Sequence, residues 1–294
     1  MVLRELHLKG FPKSEALYFF ACGFLYALLG IGVASIIFPQ HVGIVSVFFI
    51  SIALIPTIDK LFALTELLEG RERQVQGKIA SFTELQVHGK GVSLRSLFED
   101  NRNLFKAYLF SFLGVFLVFA LLTLWLPDAT TARLFGEQSV FGPGARAASG
   151  AAVDFGGFFW SVLRNNFGVL VVAFLIALLF EYGTTFIVVW NASVWGHVFA
   201  AQAENIVYVS GLSPPLQFLL ILSSVLPHTL AEAGVYFLGA TAGGLMNKAF
   251  AREHWFGERF LQIVKHAALT LGLALALLFA AAFLEDIVPS LMLG

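Results

Sequence analysis

The chain has 294 residues, of which 58% are hydrophobic and 13% charged, with a mean hydropathy of +0.83 and a net charge of −1. A soluble domain of this size carries about 25% charged residues, so this composition excludes an ordinary soluble protein, and the near-zero charge excludes a nucleic-acid-binding one. One cysteine, Cys22, excludes an intrachain disulfide and a multi-cysteine metal site.

Residues 1–14 read as a cytosolic leader with Arg4, Lys9 and Lys13 and no cleavable signal. The first span is expected over about Leu17–Phe38, with a tight turn at Pro39-Gln40-His41 and a second span over Val42–Leu64. Pro56 should kink that second span, because proline removes a backbone hydrogen bond and clashes with the preceding turn. Residues 65–103 form a polar cytosolic loop with helical character. A third span follows at Leu104–Leu126, then a Gly/Ala/Pro-rich loop at 127–152. The aromatic stretch Val153–Leu163 reads as a surface amphipathic helix, so that 127–164 is an extracytosolic loop plus an interfacial helix. Asn165 and Asn166 would cap the fourth span, Gly168–Trp190, or contact the segment that includes Pro227; Asn191 would end the span. Residues 194–215 read as a loop, and the last span as Phe260–Leu284.

The segment 216–246 is the most informative. Leu216–Leu226 is too short to cross a bilayer at 1.5 Å per residue, and Pro227 breaks it. Lysine and arginine gather on the cytosolic side of membrane proteins. If 216–246 crossed once, the 18 basic residues would divide 11 inside to 7 outside; if it returned on one side, 15 to 3. The second division predicts a re-entrant helical hairpin hinged at Pro227, with a cytosolic N-terminus and an extracytosolic C-terminus. The expected fold is a single all-α polytopic membrane domain over 1–294, with about five full spans, the hairpin and the surface helix. Transmembrane barrels alternate polar and apolar residues, which this chain does not.

Ionisable groups are costly in a bilayer and mark a partner or a task. His228 and Glu232 lie one turn apart and, on a helix, share a face within about 60° with Gly239 and Gly243. Glu181 is mid-span, so Glu181, His228 and Glu232 form a candidate polar intramembrane cluster. They could fix helix register, line a polar cavity, or act chemically. The His-Glu spacing resembles half of a zinc site, but three or four protein ligands are usual and no second compact motif exists. No metal, cofactor or catalytic residue is therefore assigned. Gly183, Gly239 and Gly243 are helix-packing candidates, within one protomer or across a homodimer.

Three blocks occur in order: Phe158-x-Trp160-Ser161-Val162-Leu163-Arg164-Asn165-Asn166; Gly183 through Asn191-Ala192-x-x-x-Gly196; and Leu226-Pro227-His228-x-x-x-Glu232 followed by Gly239-Ala240-x-x-Gly243. Together they resemble the stage II sporulation protein M family over about residues 15–285. The family pattern often has glycine after the histidine, where this chain has Thr229. The resemblance implies a multispan plasma-membrane protein without catalytic activity. The leading reading is a scaffold of that type in contact with membrane lipid, self-associating, as a homodimer, through its hairpin and small-residue faces and recruiting membrane or envelope proteins through its loops. A transporter or lipid-handling protein with its site at the broken hairpin is the alternative. An intramembrane hydrolase is a third reading, which lacks a nucleophile or metal.

Overall fold

The computed structural model describes residues 15–75, 102–141, 155–180 and 182–293. The predicted leader, most of the cytosolic loop, residues 142–154 and Glu181 lie outside the described residues. Among the described residues the chain is helical: α1 (Glu15–Ile37), α2 (Val42–Val75), α3 (Arg102–Trp125), α4 (Asp128–Phe141), α5 (Phe155–Leu179), α6 (Gly183–Ser210), α7 (Pro214–Arg252) and α8 (Glu258–Leu293). Helices Glu15–Ile37, Phe105–Trp125, Phe159–Leu179 and Glu258–Leu284 are long and apolar enough to cross a membrane, and α7 adds a fifth if its two arms make one span.

The helices α1, α3 and α8 match the first, third and last predicted spans, and the turn at residues 38–41 joins α1 to α2 as expected. Pro56 lies inside α2, whose apolar part is Val42–Ile58.

Four expectations are corrected. Residues 128–141 are a helix rather than a loop, with Phe135 and Gln138 fully buried. The separate surface helix is the start of α5, which runs unbroken through Asn165 and Asn166, so neither asparagine is a cap. The fourth span ends at Leu179 instead of Trp190: a new helix starts at Gly183, which passes so close to α5 that a β-carbon there would lie 2.5 Å from the Ile176 carbonyl oxygen. Finally, residues 194–210 continue α6 rather than form a loop, so Asn191 is mid-helix, donating to the Ile187 carbonyl at 2.9 Å.

The break after α5 sends α6 back through the middle of the bundle. It packs mainly on α3 and α7 and also touches α2, α4 and α5. Every residue from Ala192 to Ala200 is buried. Helices α3 and α6 run parallel: Tyr108 meets Thr185, the Phe116 carbonyl meets Gly196, and Thr123 meets His197. The pair α5 and α7 is also parallel, in the register Asn166–Glu232, Leu170–Gly239, Phe174–Gly243 and Leu178–Asn247. Helix α8 returns antiparallel along α7, with Leu277 near Gly234 and Phe260 against Phe250.

Helix α7 is bent by 62° between Pro214–Val225 and Thr229–Ala251, at the predicted Pro227 hinge. Ser213 is its N-cap, with proline in the first turn, a position that proline's fixed φ suits.

Candidate functional site

The α5–α7 seam is the candidate site, because it gathers most of the sequence-predicted residues. Asn165 donates to the Asn166 side-chain oxygen at 3.0 Å, and the Asn166 amide donates to the Glu232 carboxylate. Asn166 is only 5% exposed. The bond to the first asparagine polarises the second, so the three groups act as one chain reaching the carboxylate. Below it, Gly239 and Gly243 let the backbones close. A β-carbon at Gly239 would lie 2.3 Å from Leu170 Cδ1, and one at Gly243 2.2 Å from the Phe174 carbonyl oxygen. At the far end, Asn247 donates to the Leu178 carbonyl at 2.7 Å. That carbonyl belongs to the last turn of α5, where carbonyls run short of intrahelical donors, and Asn247 supplies one.

The structure therefore joins Asn165, Asn166, Glu232, Gly239 and Gly243 in one interface. Of the two roles weighed for the double asparagine, cap and contact, it takes the contact. The two glycines are used within one chain. Gly183 serves the α5–α6 break, and Asn191 stays apart on α6. Pro227 and His228 lie at the bend of α7, and Glu181 lies outside the described residues.

Glu232→Ala would leave the buried Asn166 amide without its acceptor. Interhelical hydrogen bonds in membranes contribute about 0.6 to 2 kcal/mol, so the variant should lose about 1–2 kcal/mol, read as a lowered thermal midpoint in detergent. Glu232→Gln keeps a side-chain oxygen for Asn166 and should unfold near wild type.

Sequence reasoning missed a second polar knot, around His197. Its Nδ1 lies 2.9 Å from Thr123 Oγ1 on α3, and its Nε2 lies 2.8 Å from Ser139 Oγ on α4. The Thr123 hydroxyl also reaches the Phe119 carbonyl at 2.9 Å. With that proton donated to the carbonyl, Thr123 accepts from Nδ1–H, and Nε2 accepts from the Ser139 hydroxyl. This arrangement satisfies a neutral imidazole at both nitrogens. Phe135 packs on the ring, with centroids 5.5 Å apart. Nearby, Gln138 donates to Ser193 at 3.4 Å, and His41 faces Glu137 at 3.5 Å. The signal available in the sequence was the small-residue run Ala192, Gly196, Ala200 flanking His197, four residues apart and so on one helix face.

Among the described residues, no group of three or more His, Cys, Asp or Glu is placed to hold a metal ion. Neither curated proteins nor solved structures give a match. The family model described as stage II sporulation protein M matches residues 107–288, from the first turns of α3 into α8, leaving α1 and α2 outside the match. That match takes in the α5–α7 seam, the bend of α7 and the His197 knot, and covers well over half of the chain: this integral membrane protein belongs to the stage II sporulation protein M family.

Proposed function

We propose that the chain is a non-enzymatic scaffold in the plasma membrane, which recruits partner proteins and associates with copies of itself. The observation that carries this reading is how the polar groups of the bundle are used. Asn166, Glu232, His197, Gln138 and Asn247 are all engaged in bonds between helices. Polar groups used this way hold helices in register and leave the outside for binding. Because Gly239 and Gly243 face α5, self-association falls to an outward apolar face such as that of α1, where Leu25, Leu29 and Ile36 are exposed. Native mass spectrometry of gently released protein tests the reading. Copies or envelope polypeptides bound to the chain are expected, and a stoichiometric retained metabolite would overturn it.

The same reading carries an orientation. If α6 crosses the membrane and bent α7 crosses back, the basic residues divide 15 to 3 with no re-entrant segment, the same division that motivated the hairpin. The parallel registers of α3 with α6 and of α5 with α7 support this. The two arrangements differ at residues 211–213, extracytosolic if α6 crosses and cytosolic if 216–246 is re-entrant. In a Cys22→Ala background, Ser213→Cys should react with an impermeant maleimide on intact cells. Protection until lysis would restore the hairpin.

The bend of α7, with Glu232 just beyond it, favours one second reading, a transporter or lipid-handling protein. Thermal stabilisation by a ligand, lost in Glu232→Gln while the fold is kept, would establish it.

A further inference from the structure

The turn between α7 and α8 is built against its own backbone preference. Gly257 N–H bonds the His254 carbonyl at 3.0 Å, closing a four-residue turn whose third member is Phe256, at φ 62°. That left-handed position is where such turns take glycine or asparagine, because a β-carbon is disfavoured there. The Phe256 ring is not compensated by burial in the protein: it is 78% exposed, and Trp255 beside it is 66% exposed. The two extend an aromatic cluster, since Trp255 meets Phe250 and Phe256 meets Phe260, with centroids 5.7 and 6.1 Å apart. The compensation for an exposed, strained aromatic has to come from outside the chain.

Two observations identify what supplies it. The first is position. The α8 span Glu258–Leu284 has 27 residues, or about 40 Å of helix against about 30 Å of hydrocarbon. Its first turns therefore reach the headgroup zone, where tryptophan and other amphipathic rings concentrate. The second is charge. Between residues 248 and 265 four basic residues, Lys248, Arg252, Arg259 and Lys265, stand against Glu253 and Glu258, and Arg259 and Lys265 are exposed.

We propose that Trp255 and Phe256 insert into the headgroup layer of an anionic bilayer, with Arg259 and Lys265 engaging lipid phosphates. The turn is thus a lipid anchor fixing the depth and tilt of α7 and α8, and the occupant of this patch is lipid, not protein.

The test uses the full chain in nanodiscs, with Cys22→Ala and a nitroxide at His254→Cys, beside the intact aromatics. Accessibility to oxygen and to a water-soluble nickel chelate gives the depth. The label is expected at headgroup depth, deeper in phosphatidylglycerol than in phosphatidylcholine. Trp255→Ser with Phe256→Ser should return it to aqueous accessibility, and Arg259→Gln with Lys265→Gln should abolish the lipid difference. Circular dichroism and a monodisperse elution profile confirm that each variant is folded. A label open to nickel with the aromatics in place overturns the anchor. So does a label shielded from both reagents, which indicates a protein covering the turn, or one whose depth ignores the serine changes.

Discussion

Gly243→Ala should markedly reduce the yield of folded, monodisperse protein, whereas Gly244→Ala, one residue away, should not. A β-carbon at Gly243 would sit 2.2 Å from the Phe174 carbonyl oxygen and 3.0 Å from Leu178 N, both backbone atoms that cannot swing aside. The only relief is to push α7 away from α5. Asn166–Glu232 and Asn247–Leu178 flank this contact on the same two helices, so that displacement also stretches both bonds. Overpacking in a closed interface costs typically 1–3 kcal/mol, and with the bonds it strains the loss should reach about 3 kcal/mol. At Gly244 nothing lies within 4 Å, so alanine there gains helix propensity, by up to about 1 kcal/mol. Thermal midpoints of the two variants in one detergent make the comparison. Equal midpoints would show that the seam is looser than its geometry.

His197→Ala is the second large effect. It removes a side chain that bonds both α3 and α4 from α6 and opens a void beside Phe135, which is fully buried. Large-to-small changes in a core cost about 2–5 kcal/mol, and a loss on the order of 3 kcal/mol is expected. His197→Leu separates volume from hydrogen bonding. The Thr123 hydroxyl keeps its bond to the Phe119 carbonyl at 2.9 Å, and the Ser139 hydroxyl can turn to the Phe135 carbonyl of its own helix at 3.3 Å. Leucine should therefore recover more than half of the loss. If leucine unfolds as readily as alanine, the imidazole bonds matter more than the packing. A trypsin-susceptibility readout after Arg133, on α4, would show whether that helix is released first.

What was legible in the sequence follows from which helices are apolar in long runs. Helices α1 and α8 present apolar surface outward, where lipid exposure favours such runs, and α3, though largely covered, is apolar throughout, so composition alone marks all three. The α7 bend was legible because Pro227 interrupts a run too short to span. Helix α6 was not legible because neighbours cover it, and a covered helix need not be greasy. Asn191, Ser193, His197, Gln202 and Glu204 interrupt its apolar run in the second half, so its first half, Gly183–Trp190, reads as a continuation of the fourth span. Helix α4 was hidden the same way, its Gln138 being 0% exposed in a segment whose flanks are rich in glycine and alanine. In the candidate site, the double asparagine and Glu232 were visible as costly residues. Their pairing was not, because parallel packing of α5 on α7 brings together positions 66 residues apart, and no local periodicity encodes that.

The covered position of α6 has a consequence for biogenesis. A helix carrying Asn191, His197 and Glu204 has little tendency to enter lipid by itself. If α6 crosses the membrane, as in the orientation proposed above, it becomes stable there only when α3 and α7 shield it, and α7 is synthesised after it. On that arrangement a nascent chain ending near Ser210 holds a segment with nowhere to rest, and α6 and α7 would enter as a pair. A membrane insertase or chaperone that shelters polar helices would act at this stage, on a chain between about 210 and 252 residues long.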